Sequence, residues 1–383
     1  MLTHITNANI LTADGWIPCG TISFRDGRIT AIQHEAIASS QSNVIDAQGN
    51  YIIPGGIDLH VHGGGGHDFL EGSEEAFLTA VGTHLRHGTT AIYPTLAVAP
   101  EHVMWRAIEI TERLMREPNS PIMGLHLEGP YINPTMAGGQ MPEYICNPLP
   151  EQYRAMLNAT NCIKRWDTAP ELDGGLEFGR YASSRGVVVA VAHTTADYPC
   201  IKQAYAAGYT HTTHFYNAMT GVHKQREFKY EGTIESIYLM DGMSVEVIAD
   251  GIHVPPAILK LVHKIKGVER TCLVTDAMAC AGSEDSAVYD KRVIIEDGVC
   301  KLSDRSALAG SIATMDRLIR TMVQQAGIPL ADAVRMTSET PARIMGIYDR
   351  KGSLAVGKNA DIVMMDQSLT IQGVWSMGRR VEI

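Results

Sequence analysis

Residues 54–68 read PGGIDLHVHGGGGHD, and this stretch decides the fold. A short apolar run from Ile57 to Val61 carries Asp58 and His60 and passes through His62 into four glycines, Gly63 to Gly66. Side chains two apart on a strand share a face, so His60 and His62 point the same way at the strand's C-terminal end. Reactive groups gathered at the C-terminal ends of parallel strands are the mark of a (β/α)₈ barrel.

The rest of the chain repeats the pattern. Strand-like runs are expected around 53–60, 89–96, 122–128, 162–169, 187–193, 210–215, 244–250 and 271–276. Most are short and continuously apolar, as parallel strands covered on both faces should be. Helical stretches separate most of them. Residues 74–87 end at Gly88, 100–117 form an amphipathic run, and 197–207 end at Gly208. Eight such units suit a closed barrel better than an open doubly wound sheet. After the eighth strand, residues 279–306 form an insertion in which VIIEDGVCKL reads as a hairpin turning at Asp297-Gly298. Its place above the barrel mouth makes it either a lid or a plain surface excursion.

Both ends read as short strands. Asp14-Gly15 and Asp26-Gly27 mark hairpin turns near the start, and SLAVG, ADIVMM and TIQGVWSMGRRVEI close the chain. Neither end could be stable alone, so 1–52 and 350–383 are expected to pair into one small β-sandwich beside a barrel of 53–349.

Bulk properties narrow the partners. The 383 residues are 45% hydrophobic and 19% charged, ordinary for a globular protein. A net charge of −10 argues against nucleic acid or an anionic membrane as partner. The seven cysteines are scattered and never spaced Cys-x-x-Cys, which suits a reducing compartment. No signal peptide and no run of 18 apolar residues is evident, so a cytoplasmic protein is expected.

The polar residues at the strand ends are coherent. After His60 and His62 come His126 and Glu128 on the third strand, His193 on the fifth, His214 on the sixth and Asp276 on the eighth. A lone histidine at a strand end is ordinarily a hydrogen-bonded core residue. Several strand ends delivering imidazole or carboxylate in barrel order point instead to a divalent cation, zinc or iron among others. His4, His34, His84, His87, His102 and His263 lie away from the mouth and are expected to be solvated. His67, His211 and His223 lie nearer it without an evident role.

PGGIDLHVHGGGGHD, LHLEGPYIN, VAHTTA, THFYNAM, ADGIHV and LVTDAMA together resemble the motifs of the N-acetylglucosamine-6-phosphate deacetylase family, within the amidohydrolase superfamily. TSETPARIMGI with GSLAVGKNADIV is similar to the superfamily's C-terminal signature, so the resemblance spans essentially the whole chain. It implies a primary metal held by Glu128, His193 and His214. Members that keep His-x-His on the first strand can hold a second ion with Glu128 bridging, so with His60 and His62 present one or two ions per subunit are expected. Asp276, at the end of the eighth strand, is expected to be the general base beside the metal. Asn217, Ala218 and His253 would contact the sugar phosphate.

Two departures stand out. The family's Lys-Gly-x-His element is replaced by Ala137-Gly138-Gly139-Gln140, so Gln140 stands where a histidine polarises the amide carbonyl. A glutamine can donate a hydrogen bond but cannot carry charge. The family's Arg-Glu-Pro-Gly becomes Arg226-Glu227-Phe228-Lys229, which keeps the arginine that reaches a phosphate across a dimer interface and loses the Pro-Gly.

The expected chemistry is hydrolysis of an N-acetyl amide of an amino-sugar phosphate. A divalent ion lowers the pKa of a bound water towards ~7, Asp276 moves the protons, and Gln140 steadies the oxyanion. The alternatives are an amidohydrolase acting on another N-acylated sugar or a cyclic amide, and a relative that kept the barrel and lost turnover. Intact Asp276 and ligand residues speak against the latter.

Overall fold

The computed structural model describes residues 2–35, 43–283 and 289–382. Eight strands form one parallel sheet in chain order: Gly56–Val61, Thr89–Leu96, Leu125–Glu128, Ile163–Thr168, Val188–Val191, Tyr209–Thr212, Ser244–Ile248 and Thr271–Val274. All eight expected units are present, and we call them barrel strands one to eight. The seam between the eighth and the first is closed just beyond the strand ends. Asp276 N–H donates to His60 O and His62 N–H to Ala277 O, each at 2.8 Å, and the Thr275 hydroxyl donates to Asp58 at 2.6 Å.

The helices obey local signals. Glu74–Arg86 is capped by Ser73, whose side chain accepts from Ala76 N–H, and the chain leaves it through Gly88 at φ 88°. Asp197 caps Tyr198–Ala206, and Gly208 follows at φ 96°. Between the third and fourth strands and their helices, Tyr131, Tyr153, Trp166 and Phe178 pack as one aromatic cluster, with Trp166 stacked on Tyr131 at 5.6 Å. Trp166 Nε1 donates to Gly129 O at 2.8 Å, tying this cluster to the residue after Glu128. Truncating such a fully buried indole costs about 3–5 kcal/mol.

The terminal strands form a second eight-stranded sheet. Its main path runs Arg379–Arg380, Ile371–Ser376, Ile362–Met365, Tyr51–Pro54, Thr3–Thr12, Gly15–Arg25, Arg28–Gln33, with Asn43–Asp46 also on Thr3–Thr12. The sandwich is therefore one continuous sheet curled over its own core. Phe24 and Trp375 belong to strands four places apart in the sheet, yet their rings meet at 6.4 Å. Ile29 also exchanges backbone bonds with Gly357 and Lys358.

Three local expectations are corrected. Thr12 pairs with Gly15, so the first hairpin turns on Ala13-Asp14 rather than Asp14-Gly15, whereas Asp26-Gly27 takes the left-handed pair of φ values, 51° and 79°, that a tight hairpin needs. Tyr51–Pro54 pairs with Ile362–Met365 in the terminal sheet, and the first barrel strand begins only at Gly56. His84 is fully buried rather than solvated, because its helix face packs on the glycine loop and its Nε2 lies 2.8 Å from Gly63 O. His4 is buried too, against Ser23.

In the insertion, Val293–Glu296 pairs with Val299–Leu302 around Asp297-Gly298, as expected; residues 284–288 of the insertion lie outside the described residues. No helix among the described residues is long and apolar enough to cross a membrane.

Candidate metal centre

The strand ends converge on a cavity of roughly 350 Å³. Glu128, at the end of the third strand, turns one oxygen to two histidines: His193 Nε2 lies 2.9 Å and His214 Nε2 3.0 Å from Oε1. The two Nε2 atoms are 3.1 Å apart. Both rings are aimed from behind, His193 Nδ1 donating to Met136 O at 2.7 Å and His214 Nδ1 to Asn217 O at 3.2 Å. A carbonyl only accepts, so each Nδ1 carries a proton, which leaves each Nε2 as the nitrogen that can ligate when the ring is neutral.

The other carboxylate oxygen belongs to a second group. His62 Nε2 is 3.2 Å from Glu128 Oε2 and 3.2 Å from Asp276 Oδ1. His60 Nε2 is 3.1 Å from His62 Nε2 and 3.5 Å from Asp276 Oδ1. Glu128 thus lends one oxygen to each group.

The cluster gathers carboxylates and imidazoles that draw positive charge, and this donor set fits divalent cations held by imidazole and carboxylate. The electrostatics point the same way. Burial lowers the His62 pKa, but hydrogen bonds with Asp276 and Glu128 outweigh it and push it up to about 9. Glu128 is driven up by burial yet ends well below the carboxylate range because His60, His193 and His214 surround it.

The backbone is strained at this spot. His193, His214 and Asp276 take φ values of 44°, 24° and 46°, a region costly for residues other than glycine. Strain of about 1–3 kcal/mol at each persists only where surrounding contacts enforce it.

Around the floor, Asn217, Ala218 and His253 line the cavity, with His253 Nδ1 donating to Asp250 at 2.8 Å. Gln140 is buried at the wall. Val98 N–H donates to its Oε1 at 2.7 Å, and its Nε2 donates to Glu128 Oε2 at 2.7 Å. Arg226 does not line the cavity; it sits at φ 58° on the exposed turn between His223–Gln225 and Phe228–Tyr230. The insertion supplies Tyr289, Asp290 and Arg292 to the cavity wall, and Arg292 donates back to the carbonyls of Gly139 and Gln140.

Below the floor lies a layer that the sequence reading overlooked. Glu246, Arg165, Asp167 and His211 are fully buried and mutually bonded, and Asp167 meets His126 Nε2 at 2.9 Å. A signal was present: a glutamate inside the apolar strand SVEVI has to be paired if it is buried.

Comparison with known proteins agrees with this architecture. The description of the amidohydrolase family matches residues 51–381. The chain belongs to the amidohydrolase family. Within it, the chain is 33% identical to the N-acetylglucosamine-6-phosphate deacetylase of Bacillus subtilis, over 96% of this chain and 94% of that one. It is 31% identical to the N-acetylgalactosamine-6-phosphate deacetylase of Escherichia coli, with 99% of each covered. Among solved structures it is similar to the Pasteurella multocida N-acetylglucosamine-6-phosphate deacetylase, at TM-score 0.93, 29% identity and 99% coverage of both chains. A mutant of the Mycobacterium smegmatis enzyme in complex with N-acetyl-D-glucosamine-6-phosphate superposes at TM-score 0.90, with 30% identity over 100% of this chain and 99% of that one. As members of a metal-dependent family, these relatives fit the two groups of imidazole and carboxylate.

Proposed function

We propose that this amidohydrolase removes the acetyl group from an N-acetylhexosamine 6-phosphate, N-acetylglucosamine 6-phosphate first, giving acetate and the amino-sugar phosphate. The observation that carries the reading is the split use of Glu128, one oxygen facing His193 and His214 and the other facing His62 near Asp276.

Glu128, His193 and His214 would hold one divalent cation, zinc or iron, and His60 and His62 with Asp276 a second. A cation there supplies Lewis acidity, acidifying a water and polarising a carbonyl. Asp276 accepts the proton of the attacking water and returns it to the departing amine. Burial alone would raise its pKa, but His60 and His62 outweigh this and keep Asp276 ionised, so it is free of a proton before the water arrives. Gln140 spends one amide N–H on Glu128; we assign the other to the developing oxyanion. Asn217, Ala218 and His253 bind the sugar phosphate along the wall.

Phosphate recognition is assigned to Arg226 of a second subunit. The hairpin that carries it exposes Val222, Phe228 and Tyr230, at 58%, 60% and 43%, which is apolar area suited to a homodimer contact. We place the enzyme in the cytoplasm, in keeping with its phosphorylated substrate, and divide it into a terminal domain of 1–54 with 350–383 and a barrel of 55–349, since Ile53 and Pro54 pair in the terminal sheet.

N-acetylgalactosamine 6-phosphate is the second reading, favoured by the Escherichia coli relative. Acetate release from the two epimeric phosphates, measured beside elemental metal analysis, distinguishes them. Release from neither sugar phosphate overturns the proposal.

A further inference from the structure

Barrel strand seven, Ser244–Ile248, is apolar apart from its first residue and Glu246. A carboxylate buried to zero exposure inside a barrel is costly unless its partners are strong and well placed. Glu246 has four. Its Oε1 accepts from His60 Nδ1 at 2.7 Å and from the backbone N–H of His214 at 3.0 Å. Its Oε2 pairs with Arg165 Nη1 and lies 3.4 Å from His211 Nε2.

Arg165 is held as firmly. It spans to Asp167 and donates to the Thr213 hydroxyl at 2.7 Å and to Leu59 O at 3.3 Å. Leu59 precedes His60, and Thr213 precedes His214. The pair therefore grips the backbone beside both histidines as well as the ring of one.

The consequence falls on a proton. An ionised carboxylate has no hydrogen to give, so the proton in the His60–Glu246 contact sits on His60 Nδ1. In the neutral ring that a cation requires, His60 Nε2 is then bare and faces Glu128 and Asp276. Had the ring taken the other tautomer, Nε2 would point a hydrogen at the site and could not ligate. A histidine whose far nitrogen donates to a carboxylate is fixed in orientation and made a stronger donor to metal.

We propose that Glu246, backed by Arg165, is the positioning residue for the second cation site: it fixes the ligating tautomer of His60 and, through the His214 amide, holds the two sites in register. The inference rests on the reading of His60 as a ligand of that second site. It adds a residue that makes no contact with the substrate cavity.

Metal titration followed by elemental analysis tests it, on wild type, His60→Ala and Glu246→Gln side by side, using zinc alone. We expect wild type to bind two equivalents and His60→Ala to keep one. Glu246→Gln should keep the first equivalent and bind the second about 10–100-fold more weakly. If Glu246→Gln binds both as wild type does while His60→Ala loses one, the inference is overturned and the ligand reading stands. If His60→Ala still binds two, both fall. General misfolding would weaken both equivalents together, so the split between them separates positioning from simple stability. Should Glu246→Gln not fold, wild type alone still decides. In histidine-labelled zinc protein, the ring spectrum missing from His60→Ala must show a protonated Nδ1, and a protonated Nε2 overturns the proposal.

Discussion

Asp276 donates its backbone N–H to the carbonyl oxygen of His60 at 2.8 Å, and this bond closes the barrel while setting the Asp276 carboxylate 3.2 Å from His62. Fold and site share a seam. The eighth strand cannot leave the first without dispersing the groups that would ligate the second cation.

That arrangement makes Asp276 a clean target. In Asp276→Asn the backbone bond to His60 survives, so the barrel should remain closed. We expect KM to stay near wild type and kcat to fall by about 10³-fold or more, since a general base and acid are lost together. Steady-state kinetics with metal content measured on the same sample checks this. A variant retaining a tenth of wild-type kcat would remove Asp276 from the role.

His193→Ala should lose the primary cation and all turnover. It should not unfold metal-free protein, because the His193 ring faces the cavity beyond the strand end rather than the packed core. Elemental analysis and thermal melts in chelator read the two effects separately. Full metal occupancy in the variant would refute the assignment.

Phosphate preference should reside in Arg226. A charge-assisted contact to a phosphate, if buried at a subunit interface, is worth about 2–5 kcal/mol. Comparing kcat/KM for the phosphorylated and unphosphorylated sugar, Arg226→Ala should erase most of the preference. A preference that survives intact would return Arg226 to the role of an exposed turn residue.

A stability prediction concerns Asp316, which lies far from the candidate metal ligands in sequence. Burial raises its pKa, but His87, Thr314 and Arg320 outweigh this and hold it far below the ordinary 3.8. A carboxyl with a depressed folded pKa stabilises above the unfolded value and loses that contribution as pH falls below it. Asp316→Asn should therefore cost about 1–3 kcal/mol near pH 7. The gap to wild type should narrow as pH drops below about 4. Denaturant melts across that range measure it, and a gap that stays constant would contradict the pairing.

The sequence was most legible where the signal is local. The helix ends before Gly88 and Gly208 and the turns at Asp26-Gly27 and Asp297-Gly298 all depend on residues close in the chain, and each appears where it was expected. The turn at Ala13-Asp14 was misplaced by one residue because Gly15 suits a turn but pairs with Thr12 instead.

What the sequence by itself determined is the barrel and the end of it at which His60, His62, Glu128, His193, His214 and Asp276 gather, since each lies at or just past the C-terminal end of a parallel strand. What only the tertiary structure decided is how those residues are aimed and neutralised. His60 and Glu246 are 186 residues apart, and Gln140 meets Glu128 only through a loop anchored at Val98. His84 is buried because the glycine loop closes over it. Burial and pairing between distant residues are settled by the closing of the barrel, and no local pattern in the chain encodes them.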